Sequence, residues 1–460
     1  MGETGVSTID TFGVLPAGVN AAVALSYLHR VLAAIETENR STKALISLTE
    51  SEAEEDLERV LSARHSGSPL PLDGRFFVVK NNIDVGGVPG TLGSEHFSHR
   101  IPEHDADVVQ KFREAGAILV GVANMHELAF GATSENAYFG TVQNPWDITR
   151  NAGGSSGGSA VAVALGWVDF SLGTDTGGSV RCPAAIEGVS GLRPTFDEVS
   201  AHGVYPLAPS FDTVGLFSRT AVDLELLLDI AVGVESRHGT VGPTPLRIGI
   251  PTGGYFTEGV GSGAAQALMD MGRVLERSGA ATLVDFDLPD AKRSDYVSRM
   301  IVRAEAWRVH GVGFEEDSSG FGADVASRLQ LAKSIDSAEE ASLSDERVEL
   351  TKKIDDIFEY VDVILLPTVP RAPSLLGPVD PLKSTEQNLA FTYLWGLAGL
   401  PALSVPCGFD DGMPIGAQLI SRRGSDRMLC RLGAHYQELT NWHLRRPSGF
   451  GALHNSSSNE

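Results

Sequence analysis

The sequence predicts an α/β fold: one large domain whose mixed, mostly parallel β-sheet is flanked by α-helices. Three observations carry that reading. A helical pattern at Asp107–Ala115 runs straight into a strand pattern at Ala117–Val122, and the same succession returns at Ala264–Arg277 and Ala281–Phe286, the order of a layered α/β fold. No repeat and no linker divides the 460 residues. With 42% hydrophobic residues, a chain of this size buries roughly three quarters of its extended surface, enough for a sizeable core.

The elements follow in order. Asn20–Glu38 places Val23, Leu25, Leu28, Val31, Leu32 and Ile35 at helical spacing, and Ser51–Ala63 is similar. Arg75–Lys80 (RFFVVK) is a strand. From Asn151 to Arg193 the chain is glycine-rich, with short apolar runs (AVAVAL, VDFSLG) alternating with turn clusters. A strand at Leu246–Ile250 follows, then the second helix–strand succession and a helical stretch from Asp290 to about Tyr360. Strands at Val361–Leu366 and Leu403–Val405 precede Pro414–Ile420 and a helix from Asp426 to Thr440. Residues 451–460 are expected to form a loose tail.

Composition narrows the function. The net charge of −23, from 36 basic and 59 acidic residues, repels phosphate and argues against a nucleic-acid partner. Cys182, Cys407 and Cys430 are too few and too scattered for a disulfide framework or a zinc site and fit a reducing compartment. The N-terminus lacks a basic n-region and an apolar h-region, and stretches such as Ala160–Val168 are too short to span a bilayer. The expectation is a cytoplasmic protein with no membrane attachment. Glycine is in excess: 51 in 460 residues is about 11%, against an average near ~7%.

Two clusters concentrate that glycine with serine: Gly153-Gly154-Ser155-Ser156-Gly157-Gly158-Ser159 and Thr174-Asp175-Thr176-Gly177-Gly178-Ser179-Val180-Arg181. Neither ends in the Gly-Lys-Ser/Thr of a phosphate-binding loop, and neither fits the dinucleotide fingerprint. Glycines serving only tight turns would explain either cluster alone; two so close together, each presenting serine, point to chemistry. Serine is a weak nucleophile until a base takes its proton. His126 and His202 sit in no recognisable triad motif, and Gly-x-Ser-x-Gly fails around Ser179. The remaining candidate base is Lys80, at the end of an apolar strand; a lone lysine there is most often surface-exposed, but the apolar run is compatible with burial. Burial lowers a lysine pKa, and a useful neutral fraction near neutrality requires a shift costing about 4 kcal/mol.

Lys80, GGSSGGSA and TDTGGSVR, in this order and at this spacing, resemble the amidase signature family. Flanking stretches agree: Asn144-Pro145-Trp146, Gly191-Leu192-Arg193-Pro194-Thr195, Ser210-Phe211-Asp212-Thr213-Val214-Gly215 and the segment Gly412–Ile420. The resemblance spans residues 20 to 440, with its most specific part, the implied catalytic core, at 75–220 and a variable, substrate-shaping region at about 220–400. It implies the amidase signature fold and a Ser–cis-Ser–Lys triad: Ser179 as nucleophile, Ser155 as bridge (Ser156 being its competitor) and Lys80 as base, with a cis peptide between Gly154 and Ser155. The amides of Thr176, Gly177, Gly178 and Ser179 would form the oxyanion hole. Asp175 and Arg181 would orient the triad or stiffen the loop as a salt bridge. Cys182 is expected to be a small packed residue. Phe130, Thr133 and Ser134 lie where relatives line the acyl pocket. One departure stands out: many relatives carry Gly-Arg after Pro-Thr, whereas Thr195 is followed by Phe196-Asp197-Glu198, which bears on substrate choice.

The resemblance implies an amidase that hydrolyses a small-molecule amide, urea or hydrazide through a Ser179 acyl-enzyme, with no metal or cofactor and with a homodimer as a further expectation. Two alternatives are the A subunit of glutamyl-tRNA amidotransferase and an allophanate- or biuret-type hydrolase. The stretch Ala304–Gly311 looks more like stand-alone amidases than amidotransferase subunits. A binding protein on a dead hydrolase scaffold is disfavoured, because all three triad positions are filled.

Overall fold

Among the described residues, eleven strands form one sheet: β1 (Leu45–Leu48), β2 (Phe76–Lys80), β3 (Ile118–Ala123), β4 (Phe170–Asp175), β5 (Ser190–Arg193), β6 (Thr213–Ser218), β7 (Leu246–Pro251), β8 (Ala281–Phe286), β9 (Val363–Pro367), β10 (Ala402–Asp410) and β11 (Met413–Ile420). Their order is β1-β3-β2-β4-β6-β5-β10-β11-β9-β7-β8. The helices are α1 (Ala21–Thr42), α2 (Glu50–His65), α3 (Asp107–Glu114), α4 (Gly157–Ala164), α5 (Arg181–Glu187), α6 (Ala221–Val232), α7 (Ser262–Arg277), α8 (Ala291–Glu316), α9 (Ala323–Ala332), α10 (Ser337–Ile357), α11 (Pro381–Asn388), α12 (Tyr393–Leu397) and α13 (Asp426–Glu438). This computed structural model describes residues 14–234, 242, 244–377 and 379–448. The N-terminal residues read above for a leader and the tail at 451–460 lie outside the described residues.

The α/β class and the mixed sheet agree with expectation, but the balance of strand directions is a correction. Six pairings are antiparallel and four are parallel, where mostly parallel strands were expected. The connections explain it. Helix crossovers through α3 and α7 make β2/β3 and β7/β8 parallel, as such connections must. The middle of the sheet is instead built from returns and a hairpin, β4/β6, β5/β6 and β10/β11. Asp411 and Gly412 turn that hairpin with φ of 50° and 76°, the paired positive values of a two-residue turn matched to strand twist.

Strand parity divides the core. Phe77 and Val79 of β2 join a cluster with α3, α6, α7 and α13, while Phe76 and Val78 face the opposite cluster under α1, α2 and α4. A third cluster covers that second face near β9 and β11, where α8, α9, α10 and α12 pack. The largely helical stretch expected from Asp290 to about Tyr360 is made of three helices, interrupted at 317–322 and 333–336. No helix among the described residues is long and apolar enough to cross a membrane.

Candidate active site

Lys80 ends β2 on the face of Phe76 and Val78, beneath α4, and is fully buried. Its Nζ lies 2.6 Å from Ser155 Oγ and 2.7 Å from Thr174 Oγ1. Burial pulls its pKa from 10.5 down to about 7, although the carboxylates of Asp212 and Asp175 oppose the shift. Ser155 sits in the turn that enters α4, and the Gly154–Ser155 peptide is cis. Ser134 braces that turn: its Oγ accepts from Gly157 N at 3.1 Å and donates to Ser155 O at 3.4 Å.

Ser179 occupies the loop between β4 and α5. Ser156 N donates to Ser179 O at 3.2 Å, tying the two glycine-serine clusters together. Ser179 lines a cavity, and its hydroxyl makes no hydrogen bond within the described chain. Asp175, at the end of β4, organises this loop. It accepts from Gly178 N at 2.8 Å, from Val180 N at 3.2 Å and from the Arg181 fork at 2.8 and 3.0 Å. Arg193 Nη1 adds a contact at 3.2 Å and also donates to the Asp175 carbonyl. Burial alone would raise the Asp175 carboxyl, but Arg181 and Arg193 outweigh it and hold the pKa far below the ordinary value. Asp175 and Arg181 are thus a fully buried pair that shapes the loop.

The four amides expected to form an oxyanion hole are not equivalent. Gly178 N is given to Asp175, whereas Thr176, Gly177 and Ser179 line the cavity and their amides have no partner within the described chain. Gly178 has φ +132°, and a Cβ there would collide with Thr392 Oγ1; one on Gly177 would run into the Tyr393 ring. Close approach of α12 and its preceding residue demands both glycines.

Of the three expected pocket residues, Phe130 lines the cavity. Thr133 and Ser134 are buried and are not among its lining residues; Thr133 lies against His126 Nδ1 at 3.3 Å and Ser134 braces the turn into α4. His126 is buried and pairs with Asp324 at 2.9 Å, and His202 is on the surface beside Asp107; neither reaches Ser179. Burial pushes the Cys182 thiol up to about 12, which leaves it protonated and inert. Among the described residues the set best placed to hold an ion is His29, Glu50 and Glu54, on the surface of α1 and α2 and separate from this site.

Sequence reasoning did not single out Thr174, Asp212 or Arg193. Thr176 Oγ1 donates to Asp212 at 2.5 Å, and burial raises the Asp212 carboxyl to about 6. The opposite wall of the cavity, which includes Arg299, Arg303, Arg328, Leu389 and Tyr393, comes from a region with no motif to mark it.

A family model described as Amidase matches residues 26–430. The A subunit of the glutamyl-tRNA(Gln) amidotransferase of Chloroflexus aggregans is 37% identical over 94% of this chain and 96% of that relative. Among solved structures, the substrate complex of 6-aminohexanoate cyclic dimer hydrolase superposes with a TM-score of 0.83, at 25% identity over 96% of this chain and 99% of that one. A protein from a vestigial complex bearing on the origins of an s-triazine catabolic enzyme gives 0.82, at 30% identity over 90% and 94%. The matched span holds the buried lysine, both glycine-serine turns and the cavity between them: the chain belongs to the amidase signature family, and it is an enzyme acting on the carbon–nitrogen bonds of amides.

Proposed function

We propose that the protein cleaves a small carboxamide through an acyl-enzyme on Ser179. The observation that carries this reading is the buried Lys80 amine, with a pKa drawn to about 7 and a serine hydroxyl at 2.6 Å. Neutral Lys80 takes the proton of Ser155, which takes that of Ser179 after its hydroxyl turns toward Ser155, and Ser179 Oγ attacks the amide carbon. The oxyanion is met by the amides of Thr176, Gly177 and Ser179. The proton returns along the same path to the leaving nitrogen, the C–N bond breaks, and ammonia or an amine departs. Water then attacks the acyl carbon, losing its proton to the same base; that proton passes back through Ser155 to Ser179 Oγ as the ester C–O bond breaks, and the carboxylate product leaves.

The test is labelling of Ser179 by a fluorophosphonate, together with ammonia release from a panel of amides, ureas and hydrazides. Ser179→Ala is expected to lose both labelling and turnover; retention of the wild-type rate by that variant overturns the assignment. The allophanate or biuret reading is a choice of substrate for the same chemistry and enters the same panel.

A second reading is favoured by one observation, the 37% identity along 94% of the chain to the A subunit of an amidotransferase. On this reading the amide is glutamine, and the ammonia passes to a partner protein. Glutaminase activity that depends on charged tRNA and on a co-purifying second protein establishes it; full activity of the isolated chain, as monomer or homodimer, refutes it.

A further inference from the structure

The cavity that Ser179 lines is also lined by three arginines, Arg299, Arg303 and Arg328, and their partners differ. Arg299 is held by Asp295 at 2.7 Å and the Leu389 carbonyl at 3.0 Å, with its guanidinium 4.5 Å from the centre of the Tyr393 ring. Arg328 is held by Asp324 at 3.0 and 3.2 Å and by Thr385 Oγ1 at 3.0 Å. Both are neutralised by their own carboxylates. Arg303 lies four residues beyond Arg299 on α8, so the two share a helix face. It is half-buried, and among the described residues no carboxylate lies within ion-pair distance of it; its polar contact is Met300 Sδ at 3.8 Å. Glu386 also lines the cavity, but it is exposed, so water screens its charge.

A guanidinium stays charged at any physiological pH, and a partly desolvated one without a counter-ion is unfavourable until an anion reaches it. In a chain of net charge −23, whose overall field disfavours anionic ligands, such a residue beside the nucleophile points to a specific recognition group. We infer that Arg303 is a specificity-determining residue that binds a carboxylate on the substrate, so that the preferred substrates are small amides bearing a free carboxylate. This rests on the amidase reading of the same site. Arg303 presents the planar fork that pairs with a carboxylate in two parallel hydrogen bonds, while Arg299 and Arg328 keep the surroundings from being anionic.

The experiment compares malonamate, succinamate and glutaramate with propionamide, butyramide and valeramide, the uncharged amides of equal chain length. At least one acid is expected to exceed its neutral analogue about tenfold or more in kcat/KM. Arg303→Gln lowers that ratio by about tenfold or more, through KM, and Arg303→Lys restores part of it. Arg308→Gln, on the exposed side of α8 where Arg308 pairs with Glu340, keeps the ratio. Ratios near one for every pair, or a ratio unchanged in Arg303→Gln, overturn the inference. A second arm needs no turnover: glutarate raises the melting temperature of the wild type but not of Arg303→Gln, and an equal or absent shift counts against the assignment. Failure of the amidase reading has a different signature, an enzyme whose Ser179 is not labelled and which turns over no amide of either series.

Discussion

Lys80 is buried at the end of β2 with only hydroxyls and a carbonyl as close partners, and its ammonium is therefore poorly compensated. Burial lowers the pKa from 10.5 to about 7, so the unfolded chain binds more protons than the folded one between those values. Stability accordingly rises with pH across that window. The penalty is complete below about 7, amounts to roughly 4–5 kcal/mol there, and vanishes above the unfolded pKa. Two outcomes follow for this residue. The kcat/KM of the wild type rises with pH through a limb near 7, falling about tenfold per pH unit on its acid side; a flat profile between about pH 5 and 8 rules out a titrating amine as base. Lys80→Met abolishes turnover yet raises stability at pH 7 by roughly 1–3 kcal/mol net of the hydroxyls it leaves unpaired, measured by denaturant unfolding. At this scale Lys80, Ser155 and Ser179 were legible as candidate site residues because motif spacing marks them. Thr174, Asp212 and Arg193 were not, since each meets its partner from a distant part of the sequence; nor was Arg303, which stands out only by having no carboxylate beside it among the described residues.

The loop from β4 to α5 shows how an element imposes conditions on its residues. Asp175 spends its oxygens on the amides of Gly178 and Val180 and on two arginines, which turns the Gly178 amide inward and leaves its neighbours facing the cavity. That geometry requires φ +132° at Gly178 with no room for a Cβ beside Thr392. Gly178→Ala is therefore expected to lower kcat/KM by ~100-fold or more, the scale on which losing an oxyanion donor acts, and to destabilise the protein by roughly 1–3 kcal/mol. Near-normal kinetics in this variant show that the loop does not need its left-handed residue. The same close packing explains which strands the sequence hid. Gly191 of β5 and Gly215 of β6 sit under α5, where a Cβ would lie 2.6 Å from Ala184 Cβ and from Val180 Cγ2 respectively. Glycine at those points interrupts the apolar alternation by which strands are recognised. The 3.6-residue patterns of α1, α7 and α13 had no such interruption and were read at nearly their observed limits.

Across the whole molecule, the strand order joins distant parts of the chain into one sheet. The stretch marked by the strongest motifs, residues 75–220, supplies β2 to β6, but β5 is completed by β10, some two hundred residues later. Side chains tie the same regions together: Arg181 Nη1 reaches the Thr392 carbonyl at 3.0 Å, Thr195 donates its amide to Asp426 at 2.7 Å, and Gln437 accepts from Ala221 N at 2.7 Å. The large negative charge runs over this one body, so on the amidotransferase reading a partner protein has to supply the positive surface that charged tRNA requires. The sequence predicts one large domain without a dividing linker, and the topology shows what joins it: strands from both ends of the chain share one sheet. Removing residues 401–460 exposes β5 as a bare edge strand and strips α5 of β10 and β11, the two strands on which it packs most extensively. It also leaves Arg181 without its Gln418 contact and Thr195 without Asp426. The truncated chain is expected to be insoluble or to lack near-ultraviolet circular dichroism and Ser179 labelling. In the intact protein, calorimetry should show one transition, coincident with the loss of activity. A truncated chain that folds and labels Ser179, or an intact chain that melts in two separated steps, would mean that the motif-bearing half stands by itself and that the shared sheet is not what holds the site together.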